Sequence, residues 1–207
     1  MASNLEFTMK IRSRFWFALA ASLFLSACST SVERLDAQEQ IDLSGAWNDT
    51  DSQLVAREMV EDALSRPWIT KFVNAKGKEP VVIVGRIKNL SHEHINTNAF
   101  IANIERELIN SGEVQFVASA SDRQEIRDER ADQDLNASES TRKEMGQEFG
   151  ADYMMQGQIN TIIDLDGTTQ VRFYQVNLEL ISIQDNRKVW IGEKKIKKLI
   201  KNSKIRQ

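Results

Sequence analysis

Residues 152–197 read DYMMQGQINTIIDLDGTTQVRFYQVNLELISIQDNRKVWIGEKKIK, and their punctuation decides the fold. Asp166-Gly167 is a hairpin signal between two segments rich in β-branched and apolar residues. Gln184-Asp185-Asn186 is a second cluster of turn formers. Three strands follow from this spacing, over residues 152–163, 169–183 and 187–197. Segments this close in sequence pair as an antiparallel meander. Within residues 170–183 the apolar positions alternate in part: Val171 and Phe173, then Val176, Leu178 and Leu180 after a shift. A core-facing strand and one with an apolar outer band both account for that pattern.

Upstream the pattern changes. Residues 80–87 (PVVIVGRI) form an apolar, β-branched run of the kind that makes a buried strand. Before it, apolar positions 54, 55, 59, 60, 63 and 64 recur at helical spacing. Thr50 caps that helix in the sequence reading, with Gln53 three residues on, and Pro67 sets its end. Thr97 or Asn98 opens another helix, whose Phe100, Ile101, Ile104 and Leu108 share a face and whose C′ residue is Gly112. Residues 114–118 read as a short strand. The charged stretch 121–149 holds helices near residues 122–130 and 140–149, the second ended by Gly150. The sum is an α/β (α+β) domain: a mixed sheet of four to five strands covered by helices and ending in the meander.

The N-terminus has another character. Lys10, Arg12 and Arg14 precede the apolar run Phe15–Leu25, and Ser26, Ala27 and Cys28 follow. This is the charge, apolar-core and small-residue order of an export signal. Eleven residues of helix rise only about 16 Å, half of a ~30 Å hydrocarbon core. Leu25-Ser26-Ala27-Cys28 resembles the bacterial lipobox, in which the cysteine is lipidated and becomes the new N-terminus. Met9 stands just before the basic residues, so residues 1–8 read as a start-site extension. Ser29, in place of aspartate, matches export to the outer membrane. Cys28 is the only cysteine in the chain, so its acylation leaves no thiol for a disulfide or a nucleophile.

Removing residues 1–27 takes away Lys10, Arg12, Arg14 and Glu6. The mature chain then has 180 residues and a net charge of −5, with no basic excess to suggest nucleic acid. Residues 28–46 are the lipidated Cys28 and a short polar tether, 47–200 a globular domain and 201–207 a basic tail. The basic run from Lys194 to Arg206 reads mainly as a frayed, solvated terminus, with contact to anionic lipid or glycan as the other reading. The tether holds no proline and reaches at most ~65 Å when extended.

Candidate chemistry is sparse. His92-Glu93-His94 is the only histidine cluster and supplies too few ligands for catalytic zinc, so it reads as a surface loop. Asp164–Gly167 lacks the later ligands of a calcium loop. No GxSxG, GxxxxGK[ST] or GxGxxG occurs. The carboxylates between Glu125 and Glu144 alternate with Arg and Lys as on a solvated helix face. The expectation is a binding protein with no enzymatic activity, cofactor, metal or small-molecule substrate. A partner interface, if built near the domain's start and its charged helix, would use Trp47, Asn48, Asp49, Arg123 and Arg127. Trp47 and the NDTD after it read mainly as packing and capping of the first helix, with an exposed binding anchor as the other reading.

Four stretches also carry a family likeness: SGAWNDTDSQLVAREM, INTNAFIANIERELINSG, EVQFVASASDRQEIRDERADQ and FYQVNLELISIQDNRKVWIGEKKIKK. Over residues 40–200 they resemble the LpoB family of penicillin-binding-protein activators. The resemblance implies a TolB-N-terminal-like domain on an outer-membrane lipoprotein, anchored at the periplasmic face through Cys28. It implies a class A penicillin-binding protein as partner and stimulation of peptidoglycan synthesis without chemistry of its own. The family's long proline-rich tether is replaced here by residues 29–46. A more distant likeness to CsgG-like lipoproteins implies an alternative, a structural part of an outer-membrane secretion assembly.

Overall fold

The computed structural model describes residue 36 and residues 44–140 and 148–201; Cys28, the apolar run before it and most of the tether lie outside them. Among the described residues nine elements follow in order. They are α1 (Asp49–Leu64), α2 (Trp68–Lys76), β1 (Val81–Leu90), α3 (Thr97–Ser111), β2 (Gln115–Phe116), α4 (Ala120–Asn136), β3 (Tyr153–Asp166), β4 (Thr169–Ser182) and β5 (Lys188–Lys201). The strands form one sheet in the order β2-β1-β3-β4-β5. β1 runs parallel to β2 and β3, while β3, β4 and β5 pair antiparallel. The expected α+β architecture and closing meander are both present.

The hairpins form where the turn residues fall. Asp166 pairs with Thr169 across a two-residue loop whose first member, Gly167, has φ +57°. Asn186 takes φ +60° in the second turn, a conformation asparagine tolerates better than most residues. The long strands keep a period of two. On β4, Tyr174, Val176, Leu178 and Leu180 are buried, and their partners Ile159 and Met155 on β3 are buried with them. Val55, Met59 and Val60 of α1 and Phe100, Ile104 and Leu108 of α3 pack on that face. The opposite face carries amides in register, Gln156, Gln158 and Asn160 beside Glu179, Asn177 and Gln175.

Gly192 is required by close approach. The Trp190 indole lies across it, and a Cβ there would run into the ring. Trp190 in turn donates its indole N–H to Asp62 Oδ2 at 2.8 Å, joining β5 to the last turn of α1. That bond, with Arg66 beside it, holds the Asp62 carboxyl below its usual range.

Several elements differ from the sequence expectation. The cap of α1 falls two residues early, on Asn48 rather than Thr50. Its side chain accepts from the Asp51 N–H, and the Asp51 carboxylate accepts from the Asn48 N–H, a reciprocal capping box. Gln53 of the expected box instead donates to Asp49 Oδ2 at 2.6 Å. Helix α2 was not expected; Pro67 precedes it and Gly77 closes it at φ +66°. Residues 137–140 and 148–150 are not helical, and the helix expected over 140–149 otherwise lies outside the described residues.

The basic run is the largest correction. From Lys194 to Lys201 it is strand, paired with β4 throughout. Alternate lysines point into the domain: Lys194 pairs with Glu58, and Lys198, 8% exposed, meets Asp51 Oδ2 at 2.6 Å and the Ala46 carbonyl at 3.1 Å. A charge this enclosed persists only when paired and hydrogen-bonded.

Removing one partner of that pair leaves the other uncompensated. Lys198→Met should therefore cost about 3–5 kcal/mol in urea denaturation. The double variant Asp51→Asn/Lys198→Met, which removes both charges and keeps an acceptor for the cap, should recover at least half of the loss.

Candidate functional site

The five candidate interface residues fall in two places. Trp47 stands at the start of the domain with its ring edge-on to Phe100 (5.9 Å, 79°) and Tyr174 (5.6 Å, 63°). Its indole N–H donates to Ser52 Oγ at 2.7 Å, so both ends of the side chain are engaged inside the protein. Asn48 uses its carboxamide oxygen as the helix cap. Asp49 is exposed and accepts from Gln53 at 2.6 Å. Trp47 and Asn48 thus take the packing and capping roles that their sequence context allowed.

What holds Trp47 in place is a residue the sequence assigned to a surface loop. Glu93 is an enclosed junction. Its Oε2 accepts the Trp47 backbone N–H at 3.1 Å. Its Oε1 accepts the Tyr174 hydroxyl at 2.7 Å and Arg172 Nη1 at 2.6 Å. Burial and the adjoining carboxylate push the Tyr174 phenol well above its ordinary range, so it remains a donor. His92 belongs to the same arrangement: its backbone N–H donates to Thr161 Oγ1 at 3.1 Å and its ring Nδ1 lies 3.0 Å from that oxygen. The loop is therefore pinned to β3 and β4. Among the described residues no group of three His, Cys, Asp or Glu side chains could hold a metal ion.

Arg123 and Arg127 sit at the other end, on α4, where the structure adds Arg130. The three guanidiniums gather around one carboxylate, Glu148. Arg127 makes a two-pronged contact, Nε to Oε1 at 2.8 Å and Nη2 to Oε2 at 2.7 Å. Arg123 Nε is 3.7 Å from Oε2, and Arg130 Nη1 is 4.0 Å from Oε1. The Arg127 hydrogen bonds lead in lowering the Glu148 carboxyl, and Glu148 raises Arg127 in return. The cluster borders a cavity of about 310 Å³ between α4 and the β2 edge, with Phe116, Val117, Ile126 and Phe149 as its apolar wall. The intervals of four and three between these arginines were visible in the sequence, but nothing there placed Glu148 among them.

A wider cleft of about 670 Å³ opens between α2 and the β4–β5 turn. Trp68 and Phe72 line it, packed edge-on to Tyr153 at 5.0 and 5.6 Å. Lys71 and Lys76 stand at its margin. Its two carboxylates are engaged: Asp152 accepts the Val81 N–H at 2.9 Å, and Asp185, lowered to about 2 by the Arg187 guanidinium first of all, accepts from that residue. Neither cavity joins a nucleophile to a base. What the two can do chemically is recognise: cationic rims over apolar walls suit acidic, partly apolar ligands.

Comparison with known proteins adds the relationship. A family model described as the peptidoglycan-synthase activator LpoB matches residues 51–196, which includes every element except the first two residues of α1 and the end of β5. A search of curated proteins finds no match. Among solved structures, the chain is similar to the LpoB C-terminal domain from Escherichia coli at 16% identity and TM-score 0.39, covering 70% of this chain and 98% of that one. The corresponding domain from Salmonella enterica gives 17% and 0.34, with 63% and 93% covered. The NMR structure of E. coli LpoB gives 12% and 0.36, with 86% and 84% covered.

The Glu93 junction has a measurable worth. Glu93→Ala removes the acceptor for a half-buried guanidinium, a phenol and a backbone N–H, and should cost about 3 kcal/mol. Tyr174→Phe, which removes one neutral donor, should cost about 1 kcal/mol. Urea midpoints of the two variants check the ranking.

Proposed function

The chain belongs to the LpoB family of peptidoglycan-synthase activators, and from that membership we propose that it binds a class A penicillin-binding protein and stimulates its synthesis of peptidoglycan. The family match across residues 51–196 carries this reading. The domain supports it by what it offers for recognition: clefts with cationic rims over apolar walls. Regulation of this kind is a difference in affinity. The domain binds the active conformation of the synthase more tightly than the resting one, and the ratio of the two affinities limits the stimulation.

The N-terminal segment completes the proposal. Export and lipidation at Cys28 would hold the protein at the periplasmic face of the outer membrane, with residues 29–46 as the leash. One acyl chain gives only marginal anchoring, and two or more give stable attachment. The activator would then act at the membrane surface, within the reach of a short polar segment.

The direct test is the purified chain, in detergent, titrated into the class A penicillin-binding protein of the same cell. Saturable binding and a raised rate of glycan-strand or cross-link formation are expected. Absence of both rejects the activator role. The anchor is tested apart from it: Cys28→Ala should move the protein from the membrane fraction to the soluble periplasm, and undiminished membrane retention overturns lipidation at this site.

A further inference from the structure

Helix α2 is the one described helix that holds no carboxylate; its nine residues, WITKFVNAK, carry Lys71 and Lys76 instead. At about 100° per residue, Trp68, Phe72 and Ala75 form a strip along one side, with Lys71 on one flank and Lys76 on the other. That strip is one wall of the cleft of about 670 Å³, and both lysines border it. The other charges of the cleft are matched among themselves. Asp185 holds Arg187 at 2.6 Å, and Glu179 holds Lys188 at 2.5 Å. Asp152 has Lys78 at 3.9 Å and accepts the Val81 N–H. Glu79, which follows Lys78, does not line the cleft. Lys71 and Lys76 are exposed and form no ion pair among the described residues. Two positive charges therefore face this cleft without a counter-charge.

The opposite wall selects what else a ligand carries. It is built by Tyr153 and Ile183, and Ile183 is 45% exposed, so apolar surface faces the apolar strip. Trp68 and Phe72 hold the Tyr153 ring edge-on. The Tyr153 hydroxyl forms no hydrogen bond among the described residues. Burial first, then the Asp152 and Asp185 carboxylates, push it above its ordinary range, so it stays protonated as a donor. The two lysines flank a helix about 10 Å across. In an extended peptide, residues i and i+4 lie about 13 Å apart on one face, with i+2 between them. We propose that this cleft docks an extended segment of a partner protein in which an apolar residue has a carboxylate two positions to either side. One carboxylate meets Lys71 and the other Lys76, while the middle side chain lies between Ile183 and the α2 strip. The uncompensated lysines make the segment acidic, and the apolar walls distinguish it from a bare phosphate or a lipid headgroup. The cleft would serve the binding role proposed above, but its ligand class follows from its own residues. A peptide test is therefore independent of the synthase titration.

The probe is acetyl-Glu-Gly-Phe-Gly-Glu-amide, titrated into the full chain in detergent at low salt and read by calorimetry. One-to-one binding is expected. Lys71→Ala and Lys76→Ala should each weaken it about tenfold, the factor for one charge-assisted contact. Gln in place of either Glu of the peptide should do the same, and Gly in place of its Phe should remove binding. Lys197→Ala, nine residues along β5 from Lys188, should leave binding unchanged. Both cleft lysines are exposed, and unchanged circular dichroism verifies that their variants stay folded. A chain that does not bind the peptide, or that binds it equally well after both lysines are replaced, overturns the proposal. Equal weakening by Lys197→Ala, the mark of general charge attraction, overturns it too. So does a chain that binds phosphatidylglycerol vesicles through Lys71 and Lys76 while ignoring the peptide.

Discussion

A single enclosed carboxylate, Glu93, joins parts of the chain that are far apart in sequence. It lies in the loop after β1, and its two oxygens collect the backbone of Trp47, the hydroxyl of Tyr174 and the guanidinium of Arg172. Each contact fixes something else. The Trp47 amide sets the indole against Phe100 and Tyr174, and the residue after Trp47 caps α1. With its cap placed, α1 presents Val55, Met59 and Val60 to the sheet. Such a polar junction is strongly favourable only when every member is satisfied, since the low dielectric that strengthens each bond also penalises each vacancy.

The lysines of β5 show a second economy. An edge strand of fourteen residues offers a long row of unpaired backbone groups, and proteins commonly discourage edge-to-edge pairing with charge. Here the side chains alternate between two tasks. Lys194 and Lys198 turn inward to Glu58 and Asp51 of α1. Lys195 and Lys197 turn outward, the latter over the Phe173 ring at 5.7 Å. One basic strand thus ties a helix to the sheet and guards the sheet's edge.

The residues revealed the sheet more readily than the junctions within it. The meander was legible because glycine and asparagine mark the turns and β-branched residues fill the strands between them. The last strand was expected to stop at residue 197 and runs on to Lys201, through a stretch where lysines interrupt the apolar residues that signal a strand; the pairing of Lys198 depends on Asp51, which is remote in sequence. Helix α2 leaves a weak trace in the sequence because WITKFVNAK is only nine residues long, too short for a clear helical period between Pro67 and Gly77. His92 and His94 are exposed, as a surface loop requires, but polar composition alone does not report that Glu93 between them turns inward. In the arginine cluster, spacing placed the cations on one helix face, but their carboxylate comes from beyond residues 141–147. Local periodicity encodes elements well; paired charges that close the fold over long separations leave no local trace.

The grip of the sheet on the segment just before α1 bears on how the domain withstands being pulled. The Gly45 carbonyl accepts from the Tyr174 hydroxyl at 3.2 Å, and the Ala46 carbonyl accepts from Lys198. Tension applied to the chain upstream of Gly45 is therefore received on β4 and β5, within a sheet paired along its whole length. The first turn of α1 lies behind that clamp and carries little of the force until both contacts yield. A pull on the chain at Gly45 would therefore meet the sheet before it meets the first helix and the core packed beneath it.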